Sequence, residues 1–186
     1  MKVVCGWSQL EPATREALDN CGHPVTYEYV GHSDTAYPEM IARLFSEGNA
    51  FLNVEHDVVP DKACLRAMVR CHEPFCAAPY EWTTNVGPAL GCTKFSGDFL
   101  ADFPTAAAEA LGGSFRQFDY VLMRTVLAGK YRQRPHVHLP PAEHLNPAQQ
   151  LVAPFDELSL EDHLGALGWV LDDGGKTASY RGGAYG

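Results

Sequence analysis

The first eighty residues alternate between two hydrophobic periods, and that alternation leaves few folds open. Residues 2–7 hold Val3, Val4 and Cys5 in a run too short for a helix and suited to a buried strand. Over residues 8–21 the period lengthens: Leu10, Ala13, Ala17 and Leu18 make one stripe, Pro12 fits a first turn and Gly22 a stop. Val25, Tyr27 and Tyr29 then alternate with Thr26 and Glu28, which predicts a second strand over 25–30. A turn at Gly31–Asp34 leads to a helix over 37–46, with Met40, Ile41, Leu44 and Phe45 on one side. Phe51, Leu52 and Val54 form a third strand; Asp61 can cap a helix carrying Leu65, Met68 and Val69; residues 75–80 form a fourth strand. This order predicts an α/β fold: a Rossmann-like, mostly parallel sheet with helices on both faces.

Beyond residue 80 the periods break. Residues 81–97 contain Trp82, Pro88 and glycines at 87, 91 and 97, and read as one long irregular loop. Helix is expected in part of 99–111 and over 115–128, where Phe118, Val121, Leu122, Thr125 and Val126 would face inward. Pro135 and Pro140-Pro141 hold His136-Val137-His138 extended. The glycine-rich residues 174–186 are expected to be flexible, or to fold over a site with ligand.

At 186 residues the chain is one domain by length, and its apolar content suffices for a full core. It has no apolar run able to span a bilayer and no signal pattern at Met1, so a cytoplasmic protein is expected. Six scattered cysteines are too sparse for a disulfide scaffold. Cys71 and Cys76 flank His72 but no second pair has finger spacing, so buried free thiols are the expected state. The net charge of −9 argues against a surface that grips nucleic acid throughout. Locally the balance reverses: Arg116, Arg124, Lys130, Arg132 and Arg134 stand against the single acid Asp119, which reads as a solvated face or a seat for a phosphate-bearing ligand.

The chemistry concentrates at Glu55-His56-Asp57, directly after the third strand. On an extended chain, carboxylates two apart point to one side. At a strand end in an open α/β sheet they lie where ligands bind, and they suit a hard divalent cation shared with phosphates. A merely acidic loop is the competing reading. His136 and His138 would share one face, and His144 follows; the double proline lets the chain turn back, so His144 is the first candidate metal ligand and His138 the second. Surface loop histidines are the alternative. Lys94 would meet a diphosphate or an acceptor, or simply sit in solvent. No Walker A loop, no glycine fingerprint after the first strand and no Gly-x-Ser-x-Gly elbow is present. P-loop hydrolysis, dinucleotide oxidoreduction and serine hydrolysis are therefore disfavoured.

Several segments resemble small GT-A type glycosyltransferases, including phage-encoded ones. They are Phe51-Leu-Asn-Val-Glu-His-Asp-Val-Val-Pro60, then Cys71 through Pro74-Phe-Cys-Ala77 to Pro79-Tyr80, then Gly91-Cys-Thr-Lys-Phe95. The resemblance covers residues 1–146, with 1–80 as nucleotide-binding half, 81–146 as acceptor half and 147–186 as a C-terminal extension. It implies a metal-dependent transferase that moves a sugar from a nucleotide-sugar donor, in the cytoplasm or in that of a phage's host. Glu55 and Asp57 take the place of the acidic motif that holds Mn2+ or Mg2+ on the donor's diphosphate, and a late histidine completes the metal shell. Asp119 takes the place of the base of an inverting reaction, with Asp98 and Asp102 as rivals. Trp7 and Arg15, and Asp34 and Tyr37, follow the first two strands, where that fold holds the base and ribose. The family pattern has Asp where Glu55 stands. The resemblance leaves the donor sugar open, and also the acceptor: a modified base in DNA, a small molecule or a glycan. Two other functions stay compatible with the same motif, a metal-dependent nucleotidyl or phosphoryl transferase and a non-catalytic nucleotide-binding domain.

Overall fold

The computed structural model describes residues 1–82, 85–112, 115–145, 164–165, 168–172 and 174–181. Strand β1 (Lys2–Trp7), helix α1 (Pro12–Asp19), β2 (Val25–Tyr29), α2 (Ala36–Glu47) and β3 (Phe51–Glu55) follow the order expected from the sequence. Next come β4 (Val58–Val59), α3 (Lys62–Arg70), β5 (Phe75–Trp82) and β6 (Asn85–Phe95). Two short helices, α4 (Gly97–Asp102) and α5 (Ala106–Glu109), precede α6 (Phe115–Tyr120), which continues as a π-helix over Val121–Lys130. The short strands β7 (His136–His138), β8 (Glu143–His144), β9 (Trp169–Leu171) and β10 (Thr177–Tyr180) close the described chain.

Eight strands form one sheet in the order β2-β1-β3-β6-β5-β7-β10-β9, and β4 pairs with β8 beside it. The fold is α/β, and most strands point one way: β1, β2, β3, β5, β7 and β9 agree, while β6 and β10 run against them. Side chains alternate across β3, and this sorts the core into two layers. Phe51 packs under α2 with Phe45, Phe75, Phe95, Phe99 and Phe118. Leu52 and Val54 pack on the other face with Leu18 of α1 and Leu65 and Met68 of α3. Asn53 and Glu55 are thereby directed to the α2 face.

Several details differ from expectation. Residues 81–97 are not a long loop: β5 and β6 form an antiparallel hairpin at the centre of the sheet, with a register shift between Ala77 and Pro79. Glycines and a proline hid the strand, because a bulged strand that is buried over residues 89–95 does not need alternation. Helix α1 begins only at Pro12, and Thr125 is exposed rather than inward. Residues 177–180, expected to be flexible, form β10 between β7 and β9, so the sheet extends past residue 146. The tail beyond Arg181 lies outside the described residues. Asp61 caps α3 as anticipated, its carboxylate accepting from the N–H groups of Ala63 at 2.8 Å and Cys64 at 3.0 Å. No helix among the described residues is long and apolar enough to cross a membrane.

Candidate acidic site at the end of strand β3

The carboxyl ends of β1, β2 and β3 share one edge of the sheet because the three strands are parallel neighbours. That edge gathers the acids. β3 stops at Glu55, and His56-Asp57 form a turn into β4. The extended geometry that would have put Glu55 and Asp57 on one side is therefore lost, and the two carboxylates go to different partners.

Glu55 turns to the α2 face. Tyr37 Oη donates to Glu55 Oε1 at 2.8 Å, and Asn53 Nδ2 donates to Tyr37 Oη at 2.9 Å and to the Leu90 carbonyl at 2.8 Å. Gly91 N–H donates to Tyr80 Oη at 3.2 Å. A Cβ on Gly91 would stand 2.6 Å from Tyr80 Oη and 2.8 Å from Glu55 Oε2, so this glycine is what lets the two side chains close on β6. Asp119, on α6, accepts from the Leu90 N–H at 3.0 Å through Oδ1. Burial pushes the Glu55 carboxyl up to about 8, and the charges of Asp119 and then Asp57 add to this. Burial likewise raises Asp119, to about 6, against the Leu90 N–H and the charge of Arg124. The phenols of Tyr37 and Tyr80 are raised well above their ordinary value by burial and then by Glu55.

Asp57 goes the other way. The β4–β8 pairing sets Val58 against His144, and the Leu145 N–H donates to the Asp57 carbonyl at 2.8 Å. His144 Nε2 then lies 3.3 Å from Asp57 Oδ2, with both side chains largely buried. Burial pushes Asp57 up, but the His144 hydrogen bond and the neighbouring charges of His56 and His144 outweigh it and hold the carboxyl below its usual range. Adjacent donors on one octahedral divalent ion stand about 3 Å apart. The Asp57–His144 pair therefore fits a hard cation with little rearrangement. Glu55 does not complete such a cage. Among the described residues, the one triad of His, Cys, Asp or Glu donors within 4.8 Å of one another lies elsewhere, at Cys71, Cys76 and His138.

The other expected site residues divide. Trp7 ends β1 half-buried, its ring 4.9 Å from that of Tyr29 in an edge contact, and Asp34 is exposed in the turn before α2; both lie at the acidic edge. Arg15 is directed to its own neighbours, Asp19 at 3.5 Å and the Tyr27 ring at 5.5 Å. Tyr37 is buried and positions Glu55 instead of lining a loop. Lys94 is not a loop residue: it is 4% exposed within β6 and donates to the Cys71 carbonyl at 2.6 Å. It pairs with Leu52 and Cys76, which places it on the α1/α3 face, opposite Glu55. His138 is also on that face, because β7 runs in parallel register with β5 and Cys76 pairs with His136, and it joins Cys71 and Cys76 rather than Asp57. Asp98 and Asp102 are exposed on α4. Of the basic run, Lys130 is paired with Glu109 at 2.6 Å and Arg134 lies over the Tyr180 ring.

Three participants went unread in the sequence: Asn53, Tyr80 and Gly91. Asn53 carried a signal, an amide inside the apolar run Phe51-Leu52-Asn53-Val54, since a buried amide must find partners. Comparison with protein families, with curated proteins and with solved structures finds no match to this chain.

Proposed function

We propose that the chain is a metal-dependent glycosyltransferase that takes a sugar from a nucleotide-sugar donor. The observation that carries this reading is the meeting of Asp57 and His144, from distant parts of the chain, at the sheet edge where α/β folds bind ligands. The half-buried Glu55 lies close enough to feel the charges of both Asp57 and Asp119. Asp57 and His144 would hold Mn2+ or Mg2+; bound there, the cation would neutralise charge on the leaving diphosphate.

The chain's own residues supply the rest. Trp7 and Asp34, at the ends of the neighbouring strands, would take the base and ribose. Asp119 accepts the proton of the acceptor hydroxyl: burial has raised it toward neutrality, while the Leu90 N–H keeps it from rising further. Glu55 holds a proton beside it, oriented by Tyr37 and Asn53. Of the basic run, Lys130 is paired with Glu109 and Arg134 lies over the Tyr180 ring, while Arg124 and Arg132 are exposed. The net charge of −9 favours a small-molecule or glycan acceptor over a base in DNA.

Product analysis with Mn2+ tests the reading. Incubation with nucleotide sugars is expected to release nucleoside diphosphate, by transfer or by slow hydrolysis. Pyrophosphate release from a nucleoside triphosphate would make the chain a nucleotidyl transferase instead. Binding of nucleotide without either product would leave a non-catalytic domain.

A further inference from the structure

We propose that Cys71, Cys76 and His138 form a second metal site, for a thiophilic divalent cation of the Zn2+ class. It lies on the sheet face opposite Glu55. Each residue offers one donor atom, and the three lie within 4.8 Å of one another. Donors around a tetrahedral zinc ion stand about 3.5–3.8 Å apart. The cluster thus needs to contract by about 1 Å at most. Two thiols and an imidazole select zinc over the oxygen-seeking cations suited to Asp57.

An independent observation points to a ligand. His138 is 4% exposed, yet neither of its ring nitrogens has a hydrogen-bond partner among the described residues. A buried imidazole ordinarily satisfies both nitrogens. The cysteines are arranged with equal economy. Cys71 caps the carboxyl end of α3, and its sulfur accepts the Glu73 N–H at 3.4 Å. The Cys76 thiol donates to the Glu73 carbonyl at 3.6 Å, so one tight turn fixes both sulfurs. Lys94 Nζ donates to the Cys71 carbonyl at 2.6 Å and so holds the same turn from β6.

Such a site would tie the α3–β5 turn to β7. Three protein ligands leave a fourth tetrahedral position for water or a small ligand. From β7 the chain runs through residues 139–142 to β8 and His144, so the tie would also brace the segment that delivers His144 to Asp57.

The test is a Co2+ titration of the reduced, metal-stripped chain, followed by visible absorption and by metal content after Zn2+ loading. Expected are tetrahedral, thiolate-containing Co2+ spectra saturating at one ion per chain, displaced by Zn2+, with a Zn2+-dependent rise in thermal midpoint. Cys71→Ser and His138→Ala should each weaken binding by tenfold or more, while Asp57→Ala retains it. Cys71 is the half-buried member, so its variant is the one expected to fold normally, as circular dichroism would check. Absence of stoichiometric Co2+ binding by the reduced parent would overturn the proposal. So would binding unchanged in the folded Cys71→Ser variant, or a Cys71–Cys76 disulfide as the only chemistry of the pair.

Discussion

Asp119→Asn is expected to leave nucleotide-sugar binding unchanged and to slow sugar transfer by about 10²-fold or more, the usual loss when a positioned base is removed. The substitution is nearly isosteric, and an amide oxygen can still accept the Leu90 N–H that Asp119 Oδ1 accepts at 3.0 Å. What changes is basicity. With its carboxyl raised to about 6, Asp119 is mostly ionised at neutral pH and closer to the acceptor's needs than an ordinary aspartate. Glu55, raised to about 8, is mostly protonated there. Two neighbouring acids whose environments push their titrations apart are a common basis for acid–base division of labour. The rate should therefore rise through the lower titration and fall through the upper, both belonging to the coupled pair. An acceptor hydroxyl that gives its proton to Asp119 and attacks opposite the departing diphosphate yields an inverted product. Full turnover in Asp119→Asn, or a product with retained configuration, would remove Asp119 from this role; Asp98 and Asp102 are exposed on α4, outside the buried cluster.

Glu55→Gln should separate stability from function. Glu55 titrates from the ordinary 4.5 in the unfolded chain to about 8 in the fold. The folded state thus holds this proton more tightly. The stability it contributes is complete below about pH 4.5 and is lost as pH rises through about 8. The parent's thermal midpoint should accordingly fall between these limits, and Glu55→Gln should flatten that part of the curve. An amide oxygen can still accept from Tyr37, while the buried charge beside Asp119 is gone. At pH 8 and without metal the variant is expected to melt higher. A gain of about 1 kcal/mol moves a domain of this size by about 2–4 °C, and the gain should be at least that. The same change should reduce transfer. A midpoint that follows pH identically in parent and variant would show that Glu55 is not the group responsible.

Much of the scaffold was legible because short buried strands and amphipathic helices leave opposite periodic signatures, as Val3–Cys5 and Leu10–Leu18 do. The acidic stretch was legible as chemistry but not as geometry. Glu55 and Asp57 read as a convergent pair only if the strand continues, and it ends between them. The site's supports were less visible. Gly91 reads as a loop glycine, whereas its missing Cβ is the space occupied by Tyr80 Oη and Glu55 Oε2. His138 could be placed with Cys76 only through the β5–β7 register, which brings together residues far apart in the chain. A longer sequence distance separates Asp57 from His144, yet that pairing was anticipated, because Pro140-Pro141 announced a reversal of the chain.

Everything proposed for the acidic edge depends on Asp57 and His144 sharing a cation in the presence of a nucleoside diphosphate. Mn2+ titration followed by electron paramagnetic resonance of the free ion measures that directly, in the parent, in Asp57→Ala and in His144→Ala, each with and without nucleoside diphosphate. The expected result is one tightly bound Mn2+ per parent chain when the nucleotide is present. Binding should be weaker by about tenfold or more without nucleotide, and lost in both variants, since each removes one of two protein donors. Parent-like Mn2+ binding in folded Asp57→Ala and His144→Ala, or no nucleotide-dependent Mn2+ binding by the parent, would contradict it.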